Sequence, residues 1–327
     1  MKTFVTGATG FIGSHIVREL LKDGREVRVL VRPTANRANI KGLDVEVCPG
    51  DLNDPESLRT GLKGCDVLYH AAADYRLWCR NPADMFRVNV NGTTTLLQAA
   101  LEQGLSRVVY TSSVGTLGHL NSGEPADEDT PVVLADMVGP YKQSKFLAER
   151  EAERFAALGL PLVIVNPSTP VGTGDVKPTP TGKIIVDFLN RKMPAYLDTG
   201  LNLIGVAECA RGHLLAEQKG VVGRKYILGN SNLSLCDIFA LLEQITGIAA
   251  PRIRLPYLPV LCAAWLNAGW SYLSGCEPLI PLAGVRMAAQ HMYFDSGRAI
   301  RELGLPQEPV AAALEQAVQW FREHGYA

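Results

Sequence analysis

Tyr141 and Lys145 stand four residues apart in "GPYKQSKFLAER", residues 139–150. In a helix that spacing projects a phenol and an ammonium from one face, where both heads can reach the same bound molecule. A phenol ordinarily titrates near a pKa of about 10, and a neighbouring positive charge favours its phenolate. The pair therefore suits proton exchange with a hydroxyl or carbonyl oxygen. Something else must carry the electrons.

That carrier has its own signature at the start of the chain. Gly7, Gly10 and Gly13 fall in "GATGFIG", between a strand-like run and a helical pattern. Glycines there permit a tight turn and close backbone approach, so a pyrophosphate can rest on the helix N-terminus. Thr9, Phe11 and Ile12 supply the rest of that cradle. After the second strand-like run comes Arg32, with Arg37 nearby. An acid at this point would bind a ribose 2′-hydroxyl, whereas a guanidinium suits a 2′-phosphate, so NADP(H) is expected ahead of NAD(H). Asp51 and Leu52 are expected beside the adenine, and Ala71, Ala72 and Ala73 where a cofactor must pass a backbone closely. Pro167 and Thr169 follow the sixth apolar run and complete the expected cofactor contacts.

The elements that must position these residues alternate in period. Short apolar runs at 3–7, 26–32, 44–48, 66–72, 107–113 and 161–167 read as strands, separated by helical patterns at 11–22, 54–62, 83–103 and 140–158. The pattern predicts an α/β fold, a doubly wound parallel sheet with a smaller, mostly helical C-terminal substrate domain. Residues 1–170 with about 205–230 are assigned to the dinucleotide domain, and about 171–204 with 231–327 to the substrate region. "NPSTPVGTGDVKPTPTGK" reads as a long loop over the ligand edge, and "RKYILGN" as a strand returning to the main sheet. The apolar stretch 257–275, interrupted by Pro259, Asn267 and Ser271, is read as a buried or substrate-covering helix rather than a membrane span, with membrane contact left open.

Composition narrows the partners. The 327 residues carry 32 Lys plus Arg against 33 Asp plus Glu, which gives no global field for nucleic acid or anionic lipid, so a small molecule is the expected ligand. Seven scattered cysteines show no metal-ligand spacing, and no metal is expected. Strand-like sequence from residue 2 leaves no room for a signal peptide, so a cytoplasmic location is expected.

Taken together, "TGATGFIG", "GDL", "HAAA", "NVNGT", "TSSVGTLG", "YKQSK" and "FDSGRAIRELG" resemble the extended short-chain dehydrogenase/reductases, the NAD-dependent epimerase/dehydratase family, across the whole chain. The resemblance implies that Tyr141 is the acid–base group, that Lys145 lowers its pKa and binds the nicotinamide ribose, and that Ser113 orients the substrate, with Ser112 as the competing choice. It also implies that Asn89 holds a proton-relay water, although an Asn there can equally serve local backbone bonding. "AADYRLWCRNP" and "VNPSTPVGTGD" are similar to the dihydroflavonol 4-reductase-like branch and to hopanoid-associated sugar epimerases. Tyr75 and Trp78, with Arg76, are expected over the substrate, together with Ser113, Tyr141 and Ser168. Where relatives read H-V-D-D, this chain has Gly205, Val206, Ala207 and Glu208, which puts that motif's role in doubt. The resemblance further implies a homodimer through the helices at 83–103 and 140–158. Three activities stay open: an NADP(H)-dependent ketone or aldehyde reductase, favoured by Arg32; a sugar epimerase or dehydratase with captive NAD; and a non-catalytic dinucleotide sensor.

Overall fold

Alternate residues along the central strands enter two different cores, which is why the middles of those strands are apolar and their polar residues gather near the ends. The computed structural model describes residues 1–120 and 123–327. Strands β1 (Lys2–Thr6), β2 (Glu26–Val31), β3 (Glu46–Pro49), β4 (Val67–His70), β5 (Arg107–Thr111) and β6 (Leu162–Pro167) alternate with helices α1 (Phe11–Lys22), α2 (Pro55–Leu62), α3 (Pro82–Phe86), α4 (Gly92–Glu102) and α5 (Gly139–Ala157). They are followed by β7 (Thr169–Val171), α6 (Pro180–Leu189), β8 (Ala195–Leu197), β9 (Gly200–Gly205), α7 (Val206–Lys219) and β10 (Lys225–Leu228). The chain then forms β11 (Ser231–Ser234), α8 (Leu235–Thr246), β12 (Ile253–Leu255), α9 (Tyr257–Ser274), α10 (Leu282–Met287) and α11 (Val310–Glu323).

Seven strands pair in the order β10-β6-β5-β4-β1-β2-β3. All six pairings are parallel. Val5, Val109, Val163 and Val165 face a core with Ile16, Val17 and Leu20 of α1 and Leu214 of α7. Phe4, Leu68, Val108 and Ile164 face the other, against Leu58 of α2, Leu97 of α4 and Ala152 and Phe155 of α5. This is the expected doubly wound sheet. The turn chemistry also matches: Asp54 caps α2 by accepting from the Glu56 N–H, and Gly24 beyond α1 takes φ +70°.

Beyond β6 a third core joins Phe188 of α6, Phe239 of α8 and Leu314 and Phe321 of α11, with the Phe188 and Phe239 rings stacked at 5.8 Å. The span 166–183 is more ordered than the long loop expected from its prolines and glycines. Residues 169–171 form β7, parallel to β9, and α6 begins at Pro180. The "TPTG" run is a helix start: the Thr179 hydroxyl accepts from the Gly182 N–H, and proline occupies the first turn where no N–H is needed. β10 returns to the main sheet as expected, pairing with β6.

Two helical expectations need correction. The pattern at 83–103 is not one continuous α-helix, because residues Arg87–Asn91 form a π segment between α3 and α4. The 257–275 stretch is helical, but only Ala264 and Ser271 of α9 are buried, so it is not the buried helix read from its apolar content. Among the described residues no helix is long and apolar enough to cross a membrane.

Phe155 is fully buried between α5 and the sheet. Phe155→Ala should cost about 3–5 kcal/mol through lost burial and an unfilled cavity. A urea midpoint that does not move would contradict this packing.

Candidate active site

The glycine turn between β1 and α1 is shaped by contact with the backbone after β4. Gly7 has φ +78°, and a Cβ placed on it would lie 2.6 Å from the Ala72 nitrogen and 2.7 Å from the Ala71 carbonyl carbon. A Cβ on Gly13 would lie 2.1 Å from the Gly7 carbonyl oxygen. Only glycine tolerates either approach. The α1 N-terminus has no side-chain cap and no acid in its first turn, leaving its N–H groups for an anion. Phe11 and Ile12 open that helix. Asn39 braces the turn, donating to the Thr9 carbonyl at 3.3 Å and the Gly174 carbonyl at 2.9 Å. A dinucleotide pyrophosphate fits this cradle.

Around the cradle, Ala71, Ala72 and Ala73 are half-buried, and Ala72 N–H points to the Thr6 hydroxyl at 3.4 Å. Asp51 Oδ1 accepts from the Asn53 backbone and amide, fixing the turn after β3, while Leu52 is buried. Arg32 and Arg37 are exposed after β2. Pro167 ends β6 and Thr169 begins β7. Between them the Ser168 hydroxyl is buried without a partner, although its N–H donates to the Leu228 carbonyl at 2.9 Å. A buried orphan hydroxyl at the ligand edge is available to a bound molecule.

The structure separates Ser112 from Ser113. The Ser112 hydroxyl donates to Glu149 Oε2 inside the protein, whereas Ser113 Oγ accepts from the Gly115 N–H at 3.0 Å and is near enough to the Tyr141 phenol to favour its phenolate. Burial raises the Tyr141 pKa and the Ser113 hydroxyl opposes it, leaving a net upward shift. The lysine does not pair with the tyrosine here, contrary to the simple picture of an ammonium acting directly on the phenol. Lys145 Nζ donates to the Thr111 carbonyl at 2.7 Å and to Tyr110 Oη at 3.3 Å. Its pKa is lowered by burial to about 8, with Glu149 opposing the shift.

Asn89 lies in the π segment and is buried. Its Nδ2 donates to the Asp74 carbonyl at 2.8 Å and to Ser144 Oγ at 3.0 Å, while its Oδ1 accepts from the Asp74 N–H at 2.7 Å. The side chain therefore ties the loop after β4 to α5, and both amide protons are used. In that loop Tyr75 is half-buried and donates to the Lys177 carbonyl at 3.4 Å. Burial raises its pKa, with Asp175, Asp74 and Tyr141 adding to the shift, which puts its phenol near Tyr141. Trp78 is also half-buried. The free cation expected beside them is absent: Arg76 closes onto its own neighbour Asp74.

Two buried charges escaped the sequence reading. Glu149 continues the ladder of Tyr141 and Lys145 at the next four-residue interval, a signal that could have found it. It is fully buried, accepting from Thr116 Oγ1 at 2.7 Å and Asn166 Nδ2 at 2.8 Å and pairing with Lys225 at 2.8 Å. Burial works to raise its pKa, but Lys225 and the hydroxyl donors outweigh it and hold the carboxyl below its usual range. Lys142 has no such signal, since a lysine beside the tyrosine reads as solvent-facing. It is buried against Gly115, and burial lowers its pKa to about 8. The histidines behave as structural groups. His70 bridges Thr6 and Thr93, and His213 bridges Thr111 and the Cys209 carbonyl. Among the described residues no cluster could hold a metal. Glu208, the acid retained from the altered motif, accepts from Asn230 and so joins α7 to the turn after β10.

Residues 3–229 match the NAD dependent epimerase/dehydratase family. The chain belongs to that family. It is 47% identical to a Synechocystis sp. protein that carries the provisional name dihydroflavonol 4-reductase, covering 99% of this chain and 95% of that one. It is 34% identical to sterol demethylase protein B of Methylococcus capsulatus, over 99% of each chain. The crystal structure of gox2253 superposes with a TM-score of 0.89 at 45% identity, covering 99% of this chain and 98% of that one. This epimerase/dehydratase family chain is accordingly an NAD(P)-dependent extended short-chain oxidoreductase.

Because fully buried Glu149 takes donors from Ser112, Thr116 and Asn166 and pairs with Lys225, Glu149→Ala strands those buried donors and should destabilise the protein by about 3–5 kcal/mol. The wild-type contribution has a defined pH window: with the folded pKa depressed, it is present above the unfolded carboxylate value and fades as pH falls through the folded one. The gap between the acid-unfolding curves of the two proteins should therefore begin to narrow as pH falls below the ordinary carboxylate value of about 4.3 and close further toward the depressed folded one. Parallel curves across that range would remove the assignment.

Proposed function

We propose that this chain is an NADP(H)-dependent ketone or aldehyde reductase acting on a lipophilic, ring-bearing substrate. The observation that carries the reading is Ser113 beside Tyr141, in a chain whose β1–α1 glycine turn is shaped for a dinucleotide. The bound dinucleotide would supply the hydride to the carbonyl carbon. Tyr141 would give its phenolic proton to the carbonyl oxygen as the C=O bond becomes C–OH, and Ser113 would hold that oxygen by a hydrogen bond. A phenol with a raised pKa is protonated at neutral pH, which is the form that reduction requires. Lys145, held by the Thr111 carbonyl, is placed to meet a ribose hydroxyl beneath the substrate. Tyr75 and Trp78 would enclose the substrate's rings, and Ser168 offers it a further hydroxyl.

The preference for NADP(H) rests on Arg32. Its guanidinium makes no ion pair or hydrogen bond among the described residues, so its charge is available to a 2′-phosphate. The lipophilic substrate class draws support from Tyr75 and Trp78 in the loop after β4 and from the relative named for sterol demethylation. Captive-NAD epimerisation is the second reading, favoured by the name of the family.

Chromatography of nucleotide released from freshly denatured protein separates the two. Little nucleotide, or NADP(H) lost on washing, is expected, whereas near-stoichiometric NAD would overturn the reductase reading. Tyr141→Phe should abolish turnover while dinucleotide affinity stays within about threefold, because the phenol acts on the substrate oxygen. Arg32→Asp should raise the NADH:NADPH ratio of kcat/KM by at least about tenfold. An unchanged ratio would sink the cofactor preference.

A further inference from the structure

Helix α9 presents an uncharged face to the outside of the protein. Its 18 residues, "YLPVLCAAWLNAGWSYLS", contain no Asp, Glu, Lys or Arg. Leu266 is 79% exposed, Tyr272 89% and Leu273 81%, with Leu258, Trp265 and Trp270 also exposed. At 100° per residue these six positions cover roughly half of the helix circumference. Scattered exposed apolar residues need no explanation, but a contiguous face of this size marks a contact surface.

Three features bear on what covers it. A partner helix takes a narrow stripe, roughly 100° wide, whereas this face is broader and mixes leucines with two tryptophans and a tyrosine, side chains suited to a boundary between water and hydrocarbon. The charge around it is basic: residues 250–291 contain Arg252, Arg254 and Arg286 against the single acid Glu277, and although Arg254 pairs with Asp198, Arg252 and Arg286 have no ion pair among the described residues. All three arginines are exposed. Finally, the end of α9 and the following α10 lie against the loop after β4 and the start of the Tyr141 helix. Arg80 lies beside Gly275 at the end of α9, Leu77 lies beside Gly284 of α10, and Ala283 of α10 lies against Gly139, where the Tyr141 helix begins. The segment after α9 is clipped to it, with the Ile280 N–H donating to Asn267 Oδ1 at 3.0 Å, and Leu279 within that segment is exposed.

We propose that α9 docks on an anionic lipid bilayer, lying in the plane of the headgroup–acyl boundary with its aromatic and leucine face immersed. Arg80, Arg252 and Arg286 then face lipid phosphates. Among the described residues no helix is long and apolar enough to span the membrane, and the contact is peripheral and reversible. The docking rests on the exposed face alone and not on which reaction the site performs.

The test uses the full chain and vesicles of phosphatidylcholine mixed with phosphatidylglycerol, with cosedimentation and tryptophan emission as readouts. The wild-type protein is expected to sediment with the vesicles and shift its emission to the blue, and to lose both effects in pure phosphatidylcholine at high salt. The double variant Leu266→Glu, Leu273→Glu changes only exposed positions; it should keep the wild-type melting temperature and partition more than about tenfold less. Wild-type protein left entirely in the supernatant would overturn the proposal. So would concentration-dependent self-association that the double variant abolishes without any vesicle binding, because the face would then join two copies of the chain. Neither result involves turnover, so the reductase reading stands or falls separately.

Discussion

A single buried carboxylate ties the catalytic edge of the sheet together. Glu149 reaches from α5 to Ser112 at the end of β5, to Thr116 in the turn beyond it, to Asn166 in β6 and to Lys225 in β10. Three adjacent strands and the helix carrying Tyr141 and Lys145 therefore share one charge. A carboxylate in such a place is costly unless its lone pairs are filled, and here several donors fill them. The consequence for chemistry is positional. Since Ser112 is turned inward by this charge, its neighbour Ser113 must face the opposite way, toward the phenol, because successive residues of an extended chain point to opposite sides.

The dinucleotide cradle is set by exclusion rather than attraction. Gly7 and Gly13 leave no volume for side chains, so β1, the start of α1 and the backbone after β4 close to contact distance. That closeness fixes where a pyrophosphate can sit and, through the length of the molecule, where its reactive ring can fall relative to Tyr141. Asn89 completes the frame by holding the loop after β4 to α5 through three hydrogen bonds. A residue assigned to a relay by resemblance is thus also a structural tether.

Much of this was legible in the sequence because it follows from local rules. Strand and helix periods, the Asp54 cap and the glycine turn need only a few neighbouring residues to be recognised. Tyr141 and Lys145 were visible because helical spacing places them together. What stayed hidden depended on contacts distant in sequence. The partnership of Arg76 with Asp74 removed a cation that the loop's composition offered, and the burial of Lys142 beside Gly115 could not be read from its position next to Tyr141. The 166–183 span was misjudged for a different reason: threonine, proline and glycine signal both loops and helix starts, and only the cap at Thr179 decides between them. For α9, apolar composition suggested burial, but composition carries no information about which elements remain to cover a helix once the three cores are filled.

The place of β10 has a consequence for how the protein must be made. It pairs with β6, yet it lies more than fifty residues further along the chain, with β7, α6, β9 and α7 in between. During synthesis the sheet can assemble from β1 to β6 while the outer edge of β6 has no neighbour. Every residue from Leu162 to Pro167 is buried in the finished protein, so that edge is apolar on both faces as well as unpaired along its backbone. Until Lys225–Leu228 arrives, the nascent chain offers a ready template for pairing with the wrong strand, and its survival in that interval depends on how quickly the ribosome delivers the missing one.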